Sequence, residues 1–472
     1  MNSGRLIIPA LRWSEETGFA HEARAIERAL EFGAGGFILF GGTADSVSEL
    51  TARVRDQAGR PLLFASDLER GPGQQFRGLD ELPPPLAIAS LDDPGVLRGA
   101  AVLTAVEARS VGVNWILAPV ADLDLEPANP IVQTRAFAAA PEIAAAATAA
   151  WIIGCEAAGA LACAKHFPGH GRTRSDSHLE TPVVAADAGE LRRTDLQPFQ
   201  AAVHAGVSTV MTAHVAYPAL DPTGAPATLS APILNLLRDE LGFTGLIVTD
   251  ALMMAGAGAP GASESGALRA LRAGVDLLLY PDDPGSVAAA LAREVQTNRD
   301  LAARIEASLA RYEGAVQEAG AADPPERPPP AGSAVALADW LIAAPLLRGD
   351  PPRLTAPLEL VVVDDDAESR SPLVSTALVR DLLLTRGVPL GGGGSRIVLA
   401  FTEPRGFKGW AGFGAESRSA LAAAVPDSSL VVLFAHPRQL AALPAQVPVL
   451  LAWHRQRLMQ EAVGRWLAER VG

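Results

Sequence analysis

Little in this chain is suited to cross-linking or metal capture: its only cysteines, Cys155 and Cys163, stand in apolar stretches without zinc-site or disulfide spacing. Both read as small core residues. No run of Lys or Arg offsets the formal net charge of -14, so nucleic acid and anionic lipid surfaces are poor partners. No stretch reads as a membrane span either. Met1 to Trp13 carries Arg5 and Arg12 around an apolar run too brief for a signal-peptide core, and Ile143 to Ala164 is Ala-rich and interrupted by Glu156. A cytoplasmic protein without a membrane partner is expected. The Gly-rich phosphate turn that opens a dinucleotide-binding fold is missing from Leu6–Arg12, and Gly391–Gly394 lacks the GxGxxG spacing and reads as a loop.

What is present is apolar and periodic. With 472 residues, 49% of them hydrophobic, the chain can bury a large core, and its length suits one barrel plus a domain of ordinary size. Short apolar runs at Leu6–Pro9, Gly36–Phe40, Leu62–Ser66, Asn114–Leu117, Ala162–His166, Thr209–His214, Leu246–Asp250 and Asp276–Tyr280 read as strands. Helical periodicity fills the intervals at His21–Phe32, Ser46–Gln57, Gly95–Val111, Pro141–Ala158, Gly189–His204, Ala231–Leu241 and Ser263–Ala273, and Pro284–Glu318 follows the last strand. Eight strand–helix repeats in succession predict an α/β fold of the (β/α)8 TIM-barrel type over residues 1–319. The Pro-dense segment 320–332 predicts a linker. Residues 333–472 predict a smaller C-terminal α/β domain, with strands at Leu358–Val363, Arg396–Phe401, Leu430–Phe434 and Val447–Trp453 and a final helix at Arg455–Arg470.

A barrel gathers its chemistry at the carboxyl ends of its strands, and polar residues recur there. Asp67 follows the third strand and Asp122 the fourth, Lys165 and His166 end the fifth, His214 ends the sixth and Asp250 the seventh. The densest cluster runs from Lys165 through His166, Pro168, Gly169, His170 and Gly171 to Asp176 and His178. Such a cation-rich mouth suits hydrogen bonding to sugar hydroxyls and carbonyls. A lone histidine is usually an ordinary one, and His21, His204, His436 and His454 are read that way; three histidines and a lysine on one strand-end loop are not. Asp250 has a competing reading, as the cap of the helix that follows.

The segment KHFPGHGRTRSDSH resembles the KHFPGHG and DSH signature of bacterial glycoside hydrolase family 3 β-N-acetylglucosaminidases, a branch that includes cell-wall-recycling (peptidoglycan) enzymes. The likeness continues in GGFILF (35–40), DLE (67–69), NWILAPVAD (114–122), Asn129–Phe137, MTAHVAYP (211–218), ATLS (227–230) and GLIVTDALM (245–253). It implies a retaining β-N-acetylhexosaminidase acting on a glycan with a terminal N-acetylglucosamine, with Asp250 as the nucleophile. It further implies His178 as the acid/base, oriented by Asp176, in place of the second carboxylate that most retaining glycosidases use. Asp67, Arg135, Lys165 and His166 match positions that hold the terminal sugar. Asp122 and Asn129 are balanced between structural and binding roles, and His170 is expected to shape the loop. The stretch Glu69-Arg70-Gly71-Pro72-Gly73-Gln74-Gln75-Phe76-Arg77 departs from the family's spacing, so neither Arg70 nor Arg77 is assigned. No cofactor and no metal is expected, since the mechanism needs no Lewis acid. Water is the expected acceptor. Inorganic phosphate is the alternative, because an imidazole acid/base does not repel it as a carboxylate does, and Arg172 and Arg174 lie on the same loop. A β-glucosidase or xylosidase of the same fold, a β-N-acetylglucosaminide phosphorylase and a non-catalytic sugar-binding barrel are the rival readings.

Overall fold

A computed structural model describes residues 2–177, 179–254, 263–321, 333–344, 347–366, 374–404, 408 and 410–471. The chain divides into two compact units. One comprises Met1–Asp80, Ile88–Glu126 and Ala136–Pro329; the other comprises Glu81–Ala87, Pro127–Arg135 and Pro330–Gly472. The two short stretches that join the second unit both precede the Pro-rich segment, which lies outside the described residues from 322 onward.

The first unit is a closed parallel barrel. Its strands are β1 (Ile7–Ile8), β2 (Ala10–Arg12), β3 (Gly36–Phe40), β4 (Leu63–Ser66), β5 (Trp115–Ile116), β6 (Leu161–Phe167), β7 (Thr209–Thr212), β8 (Leu246–Thr249) and β9 (Leu278–Leu279). Neighbours pair in sequence order from β2 to β8, β1 pairs with β9, and a parallel bridge from Val248 to Leu277 joins the remaining gap. The first two are one strand interrupted by Pro9, whose missing N–H breaks the ladder while its carbonyl still accepts from Ile38 N at 2.9 Å. That single break lets β1 serve β9 on one side and β2 serve β3 on the other. The strands are buried almost throughout, as a sheet covered by helices on one face and filled by its own side chains on the other must be.

The helices fall where periodicity places them, with three differences. Gly189–His204 is two helices, Ala188–Arg193 and Gln197–His204, because the chain leaves helical geometry at Thr194 so that the buried Asp195 can meet Arg172. Pro284–Glu318 is likewise divided into Pro284–Thr297 and Arg299–Ala321 at Asn298, which is extended and accepts from Leu301 N at 3.1 Å. Ala231–Leu241 loosens from an α-helix, Ala231–Asn235, into a π turn, Leu236–Glu240, that swings Arg238 toward Asp276.

At the amino-terminal rim of the barrel, arginines donate to carbonyls in the loops that enter the strands: Arg55 to Gly112, Arg109 to Ala158 at 3.0 Å, and Arg304 to Gly274 and Val275. They satisfy groups that helix ends leave open. A carboxyl does similar work there. Glu156 accepts from Ala162 N (3.0 Å), Ser208 N (2.9 Å) and Ser208 Oγ (2.8 Å) at the starts of β6 and β7. Burial drives its pKa up from 4.5 to about 7, against the pull of those hydrogen bonds. The native state therefore keeps a proton that the unfolded chain releases, so this group's stabilisation is complete below pH 4.5 and lost as pH rises to 7. Glu156→Gln keeps both amides on one oxygen without the charge. It is expected to be more stable than the parent at pH 8, by on the order of 3 kcal/mol, and equal to it near pH 4.5. Melting temperatures of both proteins across pH decide this; curves that run parallel would count against it.

The second unit carries a four-stranded parallel sheet, β10 (Glu359–Asp364), β11 (Arg396–Phe401), β12 (Leu430–Phe434) and β13 (Val449–Leu451), paired in sequence order. Helices Ser333–Ala343 and Leu378–Thr385 pack on the final helix, Arg457–Ala468. Its core is aliphatic, built from Val398, Ala400, Val431, Leu433 and Val449 with Leu421 and Phe413. At the carboxyl ends of β10 and β11, the buried Lys408 ammonium is held by Asp366 (2.7 Å), Asp365 (3.0 Å) and Thr402 Oγ1 (2.8 Å). Arg455 pairs with both oxygens of Asp364 at 3.0 Å. Among the described residues, no helix is long and apolar enough to cross a membrane.

Candidate active site

The strand-end residues of the barrel come together as the alternation requires. Lys165, in the last part of β6, is 1% exposed, and its ammonium sits between Asp67 Oδ1 (2.7 Å) and Glu69 Oε1 (2.8 Å) from the end of β4. Asp67 keeps about a third of its side chain in solvent (31%), so the acid that faces outward is the one the lysine steadies. The adjacent His166 is also buried. Its Nδ1 meets Asp122 Oδ2 at 2.7 Å, while Asp122 Oδ1 accepts the backbone N–H groups of His166 (3.0 Å) and His170 (2.7 Å). Burial alone would raise the Asp122 carboxyl; His166 and His170, by charge and by hydrogen bond, more than reverse this and hold it below the usual carboxylate range. Asp122 is thus the bracket for the whole β6 end. Asn129 closes a local turn, its Oδ1 accepting from Ile131 N and Val132 N.

The loop leaving β6 is shaped by its glycines. Gly169 has φ of 132°, and a Cβ on Gly171 would fall on Leu123 O. Tyr217, from the loop after β7, donates to Gly169 O at 2.7 Å. His170 lies under this loop, with Nδ1 at 2.8 Å from Thr173 Oγ1 and Nε2 at 3.0 Å from Ser177 Oγ. Burial lowers its pKa from 6.5 to about 4, so the ring is neutral under ordinary conditions. Asp176 is buried (1% exposed) and its carbonyl accepts from Leu179 N and Glu180 N. His178 lies outside the described residues.

Asp250 is the first residue beyond β8 and is half-buried. Ala251 N donates to its Oδ1 at 2.7 Å. The peptide after it is held in turn: His214, at the end of β7, sits 3.1 Å from Ala251 O through Nε2 and 2.8 Å from Thr228 Oγ1 through Nδ1. His214 and the ATLS threonine thus form the support of the Asp250 turn. Of the four expected sugar-binding residues, Asp67, Lys165 and His166 share the β4–β6 side of the mouth. Arg135 belongs to the Pro127–Arg135 stretch of the second unit, where its Nη1 donates to Ile131 O at 2.9 Å.

Two features escape a reading by motif. Glu69 is as close to Lys165 as Asp67 is, yet nothing in the run DLE distinguishes the two acids. The available signal was scarcity. The chain has two lysines, Lys165 and Lys408, against 37 arginines (39 − 2), and both lysines are buried between two acids. The loop cations do not stand alone either: Arg172 pairs with Glu190 (2.7 Å) and Asp195 (2.9 Å), and Arg174 with Glu126 (2.7 Å).

Residues 19–313 match the family description "Glycosyl hydrolase family 3 N terminal domain". The chain is 37% identical over 263 residues to a beta-hexosaminidase of Nitrosomonas eutropha, an alignment covering 53% of this chain and 75% of that protein. It is 41% identical over 285 residues to a beta-hexosaminidase of Pseudomonas aeruginosa, covering 58% and 83%. Among solved structures, it resembles a glycoside hydrolase family 3 beta-N-acetylglucosaminidase from Paenibacillus sp. str. FPU-7 with a TM-score of 0.85 and 26% identity, over 100% of this chain and 96% of the other.

Proposed function

The chain belongs to glycoside hydrolase family 3, and from that premise we propose that it is a retaining β-N-acetylglucosaminidase that removes terminal β-linked N-acetylglucosamine from cell-wall or chitin-type glycans. One observation carries the reading: Asp250 stands at the carboxyl end of β8, in a barrel whose other strand ends present Asp67, Lys165 and His166. In this reading, the Asp250 carboxylate attacks the anomeric carbon and forms a covalent glycosyl-enzyme as the leaving oxygen takes a proton from His178. His178 then accepts a proton from the water that releases the sugar, and Asp176 stabilises its imidazolium. Asp67 accepts from sugar hydroxyls while Lys165 holds it in place, and His166, fixed by Asp122, presents its outer ring edge.

Water suits this site as the acceptor better than phosphate does. The cations that would attract a dianion are each matched by acids: Lys165 by Asp67 and Glu69, Arg172 by Glu190 and Asp195, Arg174 by Glu126. The test is a panel of 4-nitrophenyl β-glycosides followed by product analysis in phosphate and in an uncharged buffer of equal ionic strength. The N-acetylglucosaminide should be cleaved with retention, at least about 100-fold faster than the glucoside or xyloside, because a site that hydrogen-bonds an acetamide is left unpaired without one. Free N-acetylglucosamine should be the product in both buffers. Faster cleavage of the glucoside, or accumulation of the 1-phosphate, would overturn the respective half of the proposal. Cell-wall and chitin fragments, assayed side by side, then rank the natural substrates.

A further inference from the structure

Arg12 ends β2 on the same side of the sheet as Asp67. Phe64 lies under the guanidinium of Arg55, which stands on helix Ala44–Ala58, so Phe64 faces the helices. Its registered partner Phe37 faces them too; by alternation Ile38 and Phe40, with their partners Ala10 and Arg12, face the barrel interior. Counted on from Phe64, Asp67 has the same sense. At the carboxyl ends of the strands that side is the mouth, and Arg12 is exposed there. Its guanidinium is held as a plate. Cζ is 4.3 Å from the Phe40 ring centroid and 5.4 Å from that of Tyr280, and Nε donates to Tyr280 Oη at 3.2 Å. Tyr280 is placed in turn by its backbone, at φ 45°, with N donating to Ile8 O at 2.8 Å and O accepting from Met253 N at 3.2 Å. Met253 lies three residues beyond Asp250, so the clamp is built onto the turn that carries the proposed nucleophile. Held by its faces and by Nε, the guanidinium has its two terminal nitrogens left for a ligand. Among the described residues no carboxylate pairs with the Arg12 side chain, whereas Arg77, stacked on the neighbouring Trp13, is taken by Glu15 at 2.8 Å. Glu22 meets only the Arg12 backbone, its Oε1 accepting from the N–H at 2.9 Å.

We infer that Arg12, clamped by Phe40 and Tyr280, is a carboxylate-binding subsite for the leaving group: the enzyme prefers N-acetylglucosamine joined to a sugar that bears a carboxylate, as an ether-linked acid or a uronic acid, over N-acetylglucosamine joined to a neutral sugar. This rests on the proposed glycosidase activity and names the class of its leaving group. The terminal sugar has no negative charge to offer, and Asp67, Lys165 and His166, its expected holders, stand at the ends of β4 and β6. The wall that runs from β9 through β2 to β3 is left for what lies beyond the scissile bond. A planar guanidinium takes both oxygens of a carboxylate at once. A lone exposed cation retains a free anion poorly, which makes Arg12 a weak trap for phosphate, but a carboxylate carried in on a bound glycan needs no separate capture.

Two matched pairs of disaccharides test it in phosphate-free buffer: β-1,4-linked N-acetylglucosaminyl sugars whose second ring bears a lactyl ether or a uronic acid, each beside its own methylamide. In at least one pair the acid should be cleaved with a kcat/KM about 5- to 30-fold above that of the amide at low salt. That preference should shrink toward unity at about 0.5 M salt. Which pair responds identifies the source of the carboxylate. Arg12→Gln should bring the ratio to about 1, and Tyr280→Phe, which releases Nε but keeps the ring, should lower it by about two- to threefold. Each result is a ratio within one enzyme, so a change in stability or in overall rate does not imitate it. The same ratio should appear in the Kd values of the two pairs on Asp250→Asn, a measurement that needs no turnover. Equal values for acid and amide in both pairs, or a preference that survives in Arg12→Gln, overturns the subsite. Turnover of the 4-nitrophenyl N-acetylglucosaminide by the parent reports the proposed activity separately, so the two failures are told apart.

Discussion

Asp250→Asn should lower kcat/KM on an aryl β-N-acetylglucosaminide by on the order of 10⁴-fold or more without changing the melting temperature. The substitution is isosteric, and the side-chain oxygen that accepts from Ala251 N at 2.7 Å can go on accepting from it. The support from His214 to Ala251 O is a backbone contact and is untouched. What is lost is the negative charge and the capacity to form an ester with the anomeric carbon, and neither His166 nor Asp67 is placed to replace it, being committed to Asp122 and Lys165. A 2-fluoro glycosyl substrate with a good leaving group should trap the intermediate on the peptide that contains Asp250. A label on Asp67 or Asp122, or an Asn variant within tenfold of the parent, would remove Asp250 from the mechanism.

The largest effect on stability is expected at the other end of the barrel. Asp276 is fully buried at the entrance to β9, and one carboxylate there serves Arg238, Arg304 (3.0 Å), Arg311 (3.2 Å), Ser308 Oγ (2.7 Å) and Ile247 N (2.9 Å). The guanidinium of Arg238 comes from the π turn and the other two from helix Arg299–Ala321, so a single charge ties two helices to two strands. Burial lowers the Arg238 pKa to about 10; Asp276 opposes this, while Arg311 and Arg304 add to it, so the cluster is already self-repelling. Asp276→Asn leaves three cations, with 15%, 23% and 32% side-chain exposure, around a neutral amide. Removing one partner of a buried ion pair costs about 3–5 kcal/mol, which for a unit of this size lowers the melting temperature by roughly 10 °C. Arg311→Met in the same chain should recover part of the loss by relieving the repulsion. A shift under about 2 °C for Asp276→Asn would show that the arginines find solvent instead.

The elements were legible where a short apolar run or a helical period is bounded by turn residues, and some bounds agree to the residue: the barrel strand Gly36–Phe40, the helix Ser263–Ala273, and the second unit's strands Arg396–Phe401 and Leu430–Phe434. Local signals of that kind need no partner. The helix break at Thr194–Asp195 was not legible, because it answers to Arg172, 23 residues earlier, and a helix propensity cannot register a distant guanidinium. The same holds for the π turn that brings Arg238 to Asp276. In the site, the positions of Asp67, Lys165, His166 and Asp250 at strand ends follow from alternation. What they touch does not. Asp122 meets His166 across 44 residues and Lys165 meets Asp67 across 98, and only closure of the barrel makes these pairs neighbours. Asp276 looked like the polar start of a strand, and its value as the common counterion of three arginines is written in residues 238, 304 and 311 rather than around itself.

The two buried lysines have a consequence for the outside of the molecule. Every side-chain cation at the surface is an arginine or a histidine, and a guanidinium keeps its proton far into alkali. The other groups that ordinarily lose protons between pH 8 and 11 are few: three tyrosines, two of which, Tyr217 and Tyr312, are held above their usual range by burial, and two cysteines, of which burial pushes Cys163 up to about 12 and Cys155 well above normal. Apart from Arg238, which burial lowers to about 10, the side chains of the folded protein therefore release few protons in that interval. Its charge, and with it the electrostatic field that meets an approaching glycan, stays nearly constant over a range in which lysine-rich proteins change theirs severalfold.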